Sequence, residues 1–482
     1  MNNDYIERVK NLEKDLASYA MKSFDSERFV DGNEVFKYYT DLWNGQGGKE
    51  KLNNRTPIQH QRDKILYSNG VRKQSEKYHI LYSGRKRIMR NYITHTLRKM
   101  QVIRTICRAL RLNEDFAEAL ALGSKIGALS FIHASKVKIS SWMKRKIDEI
   151  DNKRKNNSGY LLNTEHLNST YLLDHPEWVR NVENKEVLEL IKKYIPFACG
   201  ENINDSAYSS GKQSYWLLTT NPYTMISQEK SYTPEIMYGI WRHSLENPTY
   251  ENNFKYHQKI NNVEHKIVWS NITFESIVLR YADDITWVIE NLNDANDAVL
   301  INEPNSKCLY YELLESEKFD PPVFSSGLSS RDSGKLYSYF INDFIENSSR
   351  ILGDIASKEP LVSLKKGDSK YLIGLSSEGN EILNTIKDFI NKRVFAESRV
   401  LNRKRMLETI TEGCVELIYN SKHDYLKNYI ETKASIEGWR KDIKSQAINL
   451  LDDDIHRIQV AVNVFSELSD QEVFSFVGMD SF

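Results

Sequence analysis

The sequence predicts a mainly α-helical fold, and three observations support this prediction. Apolar residues recur at helical spacing along many segments, polar helix-capping residues precede some of these segments, and strict apolar–polar alternation is rare, with 370–375 as its best example. The 482 residues are 40% hydrophobic, which is enough for a large core. Because single cores stop growing near ~250–300 residues, we expect a second compact part.

The helices are predicted in chain order from apolar periodicity and capping signals. Residues 1–60 are polar and indicate a helix followed by a loop, whereas the apolar positions of 94–110 indicate the first core helix. Asn113, followed by two acidic residues, is typical of an N-cap and begins a second core helix. The charged segment 144–158 is expected to be an exposed excursion. Further helices are predicted near 185–194, 234–244, 275–292, 332–356, 381–401 and 402–419.

Charge and cysteine content exclude several classes of protein. The chain has 66 Lys and Arg against 66 Asp and Glu, so it is not a uniformly basic nucleic-acid coat. Its four cysteines are far apart and form no CxxC pair, which predicts neither a zinc cluster nor a disulfide framework. No leader-like apolar segment or run of about 18 apolar residues occurs. We therefore expect a cytoplasmic protein without a membrane partner.

One segment departs strongly from this neutral average. Residues 85–111 contain nine Lys and Arg and no Asp or Glu. Two interpretations remain open. The segment is a helix face that is solvated or paired with acidic neighbours, or it is a site for polyanions such as nucleotide phosphates or single-stranded nucleic acid.

Several sequence blocks together resemble the deoxyguanosine triphosphate triphosphohydrolase (dGTPase) family of the HD-domain superfamily. They are QRDKILYSNGVR (61–72), RNYITHTL (90–97), RTICRALRLNEDFAEALALGSKIGALSFIHASK (104–136), YTPEIMYGIWRHS (232–244) and YADDITWVIENLNDA (281–295). The resemblance covers roughly residues 55–300. It implies a helical HD-domain core at 55–310, after an N-terminal extension at 1–54 and before a packed C-terminal helical subdomain at 311–482.

The resemblance also implies a divalent metal held by four ligands, which would activate water for triphosphate release. His95 stands at the first ligand position and Asp283 at the last, but Ser124 and Lys125 replace the central His-Asp pair. A serine hydroxyl is a poor neutral ligand, and a lysine ammonium has no lone pair. We therefore hypothesise a Lys125–Asp283 ion pair at the position of the metal.

Other positions that the family uses for catalysis and substrate contact have changed as well. His133 is retained as a residual catalytic candidate, whereas Lys136 replaces the family's Glu. Tyr92 replaces an Arg that contacts substrate, and Trp287 and Asn291 replace the phosphate-contacting Tyr and the sugar-contacting Asp. We expect Tyr92, Trp287 and Asn291, together with Lys125 and Lys136, to line what remains of a nucleotide-binding pocket.

Two arginines are further candidates for lining this former nucleotide-binding pocket. Arg62 and Arg72 match family positions and have the planar donor geometry that grips phosphate. It is equally possible that these arginines form ion pairs with acidic residues, for example Asp115 or Glu118. His243 matches a family histidine, but a lone helical histidine is usually structural.

These departures predict a catalytically degenerate dGTPase-like protein that lacks a cofactor. Its expected role is that of a nucleotide-sensing, regulatory or structural subunit, and the resemblance extends this to control of dNTPs against phage. The expected partners are another protein or further copies of the chain, with a deoxynucleotide or single-stranded nucleic acid as other ligands. Two alternatives remain: an active dNTP triphosphohydrolase that uses Mn or Mg, and a single-stranded nucleic-acid binder.

Overall fold

The structure is a computed structural model, and it confirms the mainly α-helical prediction. It describes residues 3–23, 55–78, 90–158, 208–219, 232–243, 254–260, 263–269, 272–301, 333–353, 361–362, 373–421, 425–436, 441–452 and 454–479. Within these ranges, no helix is both long and apolar enough to cross a membrane.

The helices follow one another along most of the described chain. They are α1 (Asn3–Leu12), α2 (Pro57–Leu66), α3 (Asn69–Lys73), α4 (Tyr92–Ala109), α5 (Glu114–Gly123), α6 (Ile132–Ser158), α7 (Ser210–Thr219), α8 (Pro234–His243), α9 (Phe274–Asp297), α10 (Ser333–Gly353), α11 (Ser377–Phe389), α12 (Ser398–Asn420), α13 (Lys427–Ile436), α14 (Lys441–Asn449), α15 (Asp454–Glu467) and α16 (Asp470–Phe476). A π-helical turn at Ile390–Val394 follows α11. The helix predicted at 185–194 lies outside the described residues.

Short strands supplement the helices. Strands β1 (Phe254–Ile260) and β2 (Val263–Trp269) form an antiparallel pair, and β3 (Ile272–Thr273) pairs with β4 (Leu361–Val362). The first pair lies where no strand was predicted from the sequence. The alternation at 370–375 does not form a strand in its described part, since residues 373–375 are irregular.

The chain divides into two compact units. Unit 1 contains residues 1–67, 82–124 and 229–401, and unit 2 contains residues 68–81, 125–228 and 402–482. Both units therefore combine segments that are far apart in sequence. The domain boundaries at 54 and 310 that the resemblance implies remain a prediction.

Unit 1 is built around α5, whose residues from Phe116 to Gly123 are all buried. Helices α2, α4, α8 and α9 all pack against it. A helix that is buried on all sides needs small and apolar residues throughout, and the alternating Ala and Leu of this segment meet that need. Helix α5 thus fixes the positions of the helices that surround it.

Local capping sets the starts of the core helices. The Asn91 side chain accepts a hydrogen bond from the Thr94 backbone at the start of α4, and Asn113 does the same for Phe116 at the start of α5. Thr273 caps α9 through the Ser276 backbone. Each cap satisfies a backbone donor that the helix itself leaves unpaired. The predicted N-cap at Asn113 is confirmed.

Unit 2 contains a helix where the sequence analysis expected an exposed excursion. Residues 144–158 continue α6. Ile147 and Ile150 are buried, as are Trp142 and Met143 just before them. The expected excursion was wrong, because the few apolar residues fall on one face of a continuing helix and Lys146 pairs with Glu416 at 2.7 Å. The expected exposure holds for Lys144, Arg145, Asp148 and Glu149 on its other face.

A buried hydrogen-bond network connects three segments of unit 2. The Lys77 ammonium donates to the Ala128 carbonyl at 2.6 Å and to the Ser466 carbonyl at 2.8 Å. The Asp470 carboxylate accepts from the Tyr78 backbone N–H at 2.7 Å. Burial lowers the pKa of Lys77 to about 7 and raises the pKa of Asp470 to about 6.

We predict that Asp470→Asn changes how stability depends on pH. Because the pKa of Asp470 is raised from 3.8 to about 6, its contribution to stability is present below pH 3.8 and is lost as pH rises through 6. The free energy of unfolding of the wild type, minus that of the variant, should therefore fall by up to about 3 kcal/mol over this window. Urea titrations at several pH values measure it. A difference that does not change with pH would contradict a raised pKa of Asp470.

A second prediction concerns Gly127, where two backbone segments meet. A Cβ at this position would lie 2.5 Å from both the Ser210 carbonyl oxygen and the Ser214 amide nitrogen. Backbone atoms cannot move aside as a flexible side chain can, so Gly127→Ala should destabilise the protein by about 1–3 kcal/mol. Gly334→Ala is the matched control, since a Cβ there has no neighbour within 4 Å among the residues that the structure describes. Thermal denaturation of both variants distinguishes them, and equal melting temperatures would contradict the prediction.

Candidate functional site

The candidate site lies where α4 and α9 pack together inside unit 1. His95 and Lys99 are one helical turn apart on α4, so they share a face. Asp283 and Glu290 are about two turns apart on α9 and face them. His243, the last residue of α8, completes the group.

The structure brings His95 and Asp283 together, as the resemblance implies for two metal ligands. His95 Nε2 lies 3.2 Å from Asp283 Oδ1, and His95 Nδ1 lies 2.7 Å from Glu290 Oε2. With carboxylates at both ring nitrogens, an imidazolium donates two hydrogen bonds and a neutral ring donates one. His243 Nε2 lies 3.2 Å from Asp283 Oδ2, so both carboxylate oxygens of Asp283 contact histidine.

A lysine that no sequence motif singled out, Lys99, contacts Asp283. Its ammonium lies 3.2 Å from Asp283 Oδ1 and 3.4 Å from Ser124 Oγ, and its side chain is fully buried. The Ser124 hydroxyl in turn donates to the Ala121 carbonyl at 3.0 Å. Lys125 belongs to unit 2 and Asp283 to unit 1, and the hypothesis of a Lys125–Asp283 ion pair remains a prediction.

Arginines from α4 and its N-terminal flank neutralise the other carboxylates of α9. Arg90 contacts Glu290 at 3.0 Å and Asp294 at 2.8 Å, and Arg98 contacts Glu290 at 3.4 Å. Burial raises the pKa of Asp294 above its usual value, and the hydrogen bonds from Arg90 oppose that change. Glu290 is completely buried, so an unpaired charge there would be very unfavourable.

The same pattern extends along the described part of the basic segment. Arg104 lies 3.1 Å from Glu118, and Arg108 lies 2.9 Å from Glu114. Together with Arg90, Arg98 and Lys99, these residues contact acids of α5 and α9. For these five residues, the paired helix face is therefore what the structure shows. Residues 85–87 lie outside the described residues.

Arg62 follows the same interpretation. Its guanidinium contacts Asp115, lies 3.3 Å from Glu118 and lies 2.8 Å from Asp63. Helix α2 thereby binds the first turn of α5, where negative charge also suits the helix dipole. Arg72 is exposed on α3, in unit 2. The structure does not bring Arg62 and Arg72 into one unit.

The remaining predicted site residues divide between the two units. In unit 1, Tyr92 is buried with its ring edge-on to His95, and Trp287 packs edge-on against Phe395. The Asn291 amide donates to the Trp287 carbonyl at 2.8 Å. In unit 2, Lys125 and Lys136 are partly exposed. His133 is in the first turn of α6, and its side chain lies outside the described residues.

These residues do not fit a divalent metal. The ammonium of Lys99 repels a cation from Asp283, and the hydroxyl of Ser124 is already used within its own helix. Among the side chains that the structure describes, no group of three or more His, Cys, Asp or Glu is arranged to hold a metal ion.

Sequence comparison relates parts of this chain to curated proteins that share one name. No protein-family model matches the chain. Curated proteins named "Deoxyguanosinetriphosphate triphosphohydrolase-like protein" do match it. The relative from Caldanaerobacter subterraneus subsp. tengcongensis is 41% identical over 96 residues, which is 20% of this chain and 28% of the relative.

Two more relatives carry the same name. The protein from Bordetella pertussis is 32% identical over 115 residues, 23% of this chain and 30% of the relative. The protein from Rickettsia bellii is 21% identical over 364 residues, 74% of this chain and 78% of the relative. The chain thus spans less than a third of the first two relatives at appreciable identity. These matches support a relationship to the dNTPase family.

Lys99 could have been noticed in the sequence, because it interrupts the apolar face of α4 at the position one turn after His95. A lysine on a buried face needs an acceptor, since burying an unpaired ammonium is very unfavourable. Glu290 similarly falls on the apolar face of α9. The identity of each partner could not be predicted, because the partners are on another helix.

We predict strong energetic coupling between Lys99 and Asp283. Lys99→Met removes the buried ammonium that lies 3.2 Å from Asp283 and should destabilise the protein by about 3 kcal/mol, and Asp283→Asn removes the charge at the other end of this contact at a similar cost. The double variant should lose much less than the sum of the two single losses. Urea unfolding of all four proteins measures the coupling energy.

Lys392→Met is the matched control for this cycle. Lys392 pairs with Asp388 on the surface, with 72% of its side chain exposed. Its loss should therefore change the free energy of unfolding by less than about 0.5 kcal/mol. Additive effects of Lys99→Met and Asp283→Asn would refute a direct ion pair.

Proposed function

We propose that this chain is a catalytically degenerate dGTPase-like protein that does not hydrolyse dNTPs. The main support for the proposal is the set of contacts that His95 and Asp283, the two retained ligand positions, make with other side chains. His95 and Asp283 are hydrogen-bonded to each other and to neighbouring side chains of the protein, and a lysine is seated on the aspartate. The matches to proteins named triphosphohydrolase-like support the family relationship from which the degeneration is inferred.

The role that we propose is that of a nucleotide-sensing, regulatory or structural subunit, including a role in dNTP control against phage. Its partner would be another protein or a second copy of the chain. Two of the substrate-contacting positions implied by the resemblance, Trp287 and Asn291, take part in internal contacts of unit 1. This arrangement supports a role that depends on the scaffold more than on turnover.

The competing proposal of single-stranded nucleic-acid binding finds less support. It rests on the basic segment, and five of its residues contact carboxylates of α5 and α9. Binding a phosphate backbone would have to replace those contacts.

Triphosphate release tests the proposal directly. We expect the purified chain to release no triphosphate from any of the four dNTPs with Mn²⁺ or Mg²⁺ present. The proposed sensing role predicts that at least one dNTP raises the melting temperature without being hydrolysed, because a ligand that binds the folded state stabilises it. The absence of any such shift would favour the structural role.

His95→Ala is the matched variant for this assay. If the wild type has no hydrolytic activity, the variant should be indistinguishable from it in triphosphate release. Metal-dependent turnover that His95→Ala abolishes would instead establish the active triphosphohydrolase and overturn the proposal.

A further inference from the structure

Residues 13–23 follow α1 and lie across the turn between α4 and α5 in unit 1. The Ala17 backbone N–H donates to the Arg111 carbonyl at 2.9 Å, and the Tyr19 hydroxyl donates to the Leu110 carbonyl at 3.1 Å. We call residues 13–23 the N-terminal strap, because these contacts hold the segment against the turn.

The far end of the strap contacts the starts of α5 and α9. The Asn113 side chain, which caps α5, donates to the Met21 carbonyl at 2.8 Å, and the Met21 backbone N–H donates to Glu275 Oε1 at 2.9 Å. Met21 is buried, and the ring of Tyr19 lies edge-on to the ring of Phe274, with 5.8 Å between the centroids. The strap therefore covers the first residues of two core helices.

The Glu13 carboxylate joins the two ends of the strap. It accepts hydrogen bonds from the Ser23 backbone N–H at 2.9 Å and from the Ser23 hydroxyl at 2.7 Å, and only 7% of Glu13 is exposed. Because the Glu13 backbone N–H donates to the Val9 carbonyl, Glu13 lies at the C-terminal end of α1, where the helix dipole disfavours negative charge. Burial and position on the helix therefore both favour the protonated carboxyl group.

The surroundings of Glu13 do not compensate for this burial. Burial raises the pKa of Glu13 from 4.5 to about 7, although the hydrogen bonds from Ser23 and the charge of Lys22 oppose that change and the charge of Asp115 adds to it. The protonated carboxyl group keeps its contact with Ser23, because it can donate to the hydroxyl while its other oxygen accepts from the backbone N–H. The closed strap thus suits a neutral Glu13 better than an ionised one.

We propose that the N-terminal strap is a pH-sensitive closure of unit 1, which is held shut when Glu13 is protonated and released when Glu13 ionises. An ionised Glu13 gains solvation when the strap leaves the turn. Release separates Met21 from Asn113 and Glu275 and uncovers the ring of Phe274. The pH thereby sets how often this face of unit 1 is exposed. The inference goes beyond the proposed function, since it concerns neither dNTP binding nor turnover.

The direction of the pH effect follows from the raised pKa of Glu13. The stability that protonation gives to the closed strap is fully present below pH 4.5 and is lost as pH rises through 7. Between pH 5 and pH 8, the opening equilibrium should therefore rise by roughly 70-fold, since a difference of one unit between the pKa values of the closed and open forms corresponds to a tenfold change.

Hydrogen–deuterium exchange of the full chain tests the proposal. Peptides that cover residues 13–23 are compared at pH 5 and pH 8, after division of each rate by the intrinsic exchange rate at that pH. Protection of the strap amides should fall by roughly 70-fold at pH 8, whereas protection of α5 should change by less than about threefold. Equal protection of the wild-type strap at both pH values, or a pH effect that α5 shares, would overturn the proposal.

Two variants identify the carboxyl group that responds to pH. Glu13→Gln has a neutral side chain of nearly the same shape, so its strap should be as protected at pH 8 as at pH 5. Glu7→Gln removes an exposed carboxylate from α1 and should retain the pH dependence of the wild type. If Glu13→Gln also retains that dependence, another group is responsible and the proposal is wrong. If Glu13→Gln does not fold, the comparison of the wild-type strap with α5 decides.

Discussion

The contact between Lys99 and Asp283 is the interaction on which the centre of unit 1 depends. It joins α4 to α9 where both helices are buried, and His95 and Glu290 extend the connection along the same two helices. A buried charge needs a partner of opposite charge, because the free-energy cost of removing a lone ion from water is larger than the stabilisation gained from packing. The arrangement therefore fixes both the rotation of each helix and the pairing of their faces.

Opposite charges balance one another within small groups of side chains, as they do over the whole chain. The basic residues described on α4 contact carboxylates of α5 and α9, and Arg62 of α2 contacts acids of α2 and α5. The acidic residues of α5 that form these ion pairs lie at 114, 115 and 118, and the remainder of the helix is small or apolar. The overall charge of zero thus reflects, in part, ion pairs between packed helices of unit 1.

The sequence predicts those parts of the structure that depend on local signals. The cap at Asn113 and the apolar periodicity predict α4 and α5, whereas the cap at Asn91 was not predicted. The blocks that contain His95 and Asp283 lie on the two helices that bring these residues within 3.2 Å of each other. Lys99 was missed because its role depends on a partner that is distant along the chain. Helix α6 was misjudged because two isoleucines among many charges give a weak periodic signal, although they suffice to bury one face.

The way in which unit 1 is assembled from separate segments has a consequence for biosynthesis. His95 and Asp283 are 188 residues apart in sequence, so α4 and α5 leave the ribosome long before α9 does. Until then, Lys99 and His95 have no carboxylate from α9, and the apolar faces of α4 and α5 have no cover from it. Such long-range closure slows folding and exposes early segments to aggregation. The nascent chain therefore passes through a stage in which a chaperone that binds basic, apolar helices would find α4 accessible.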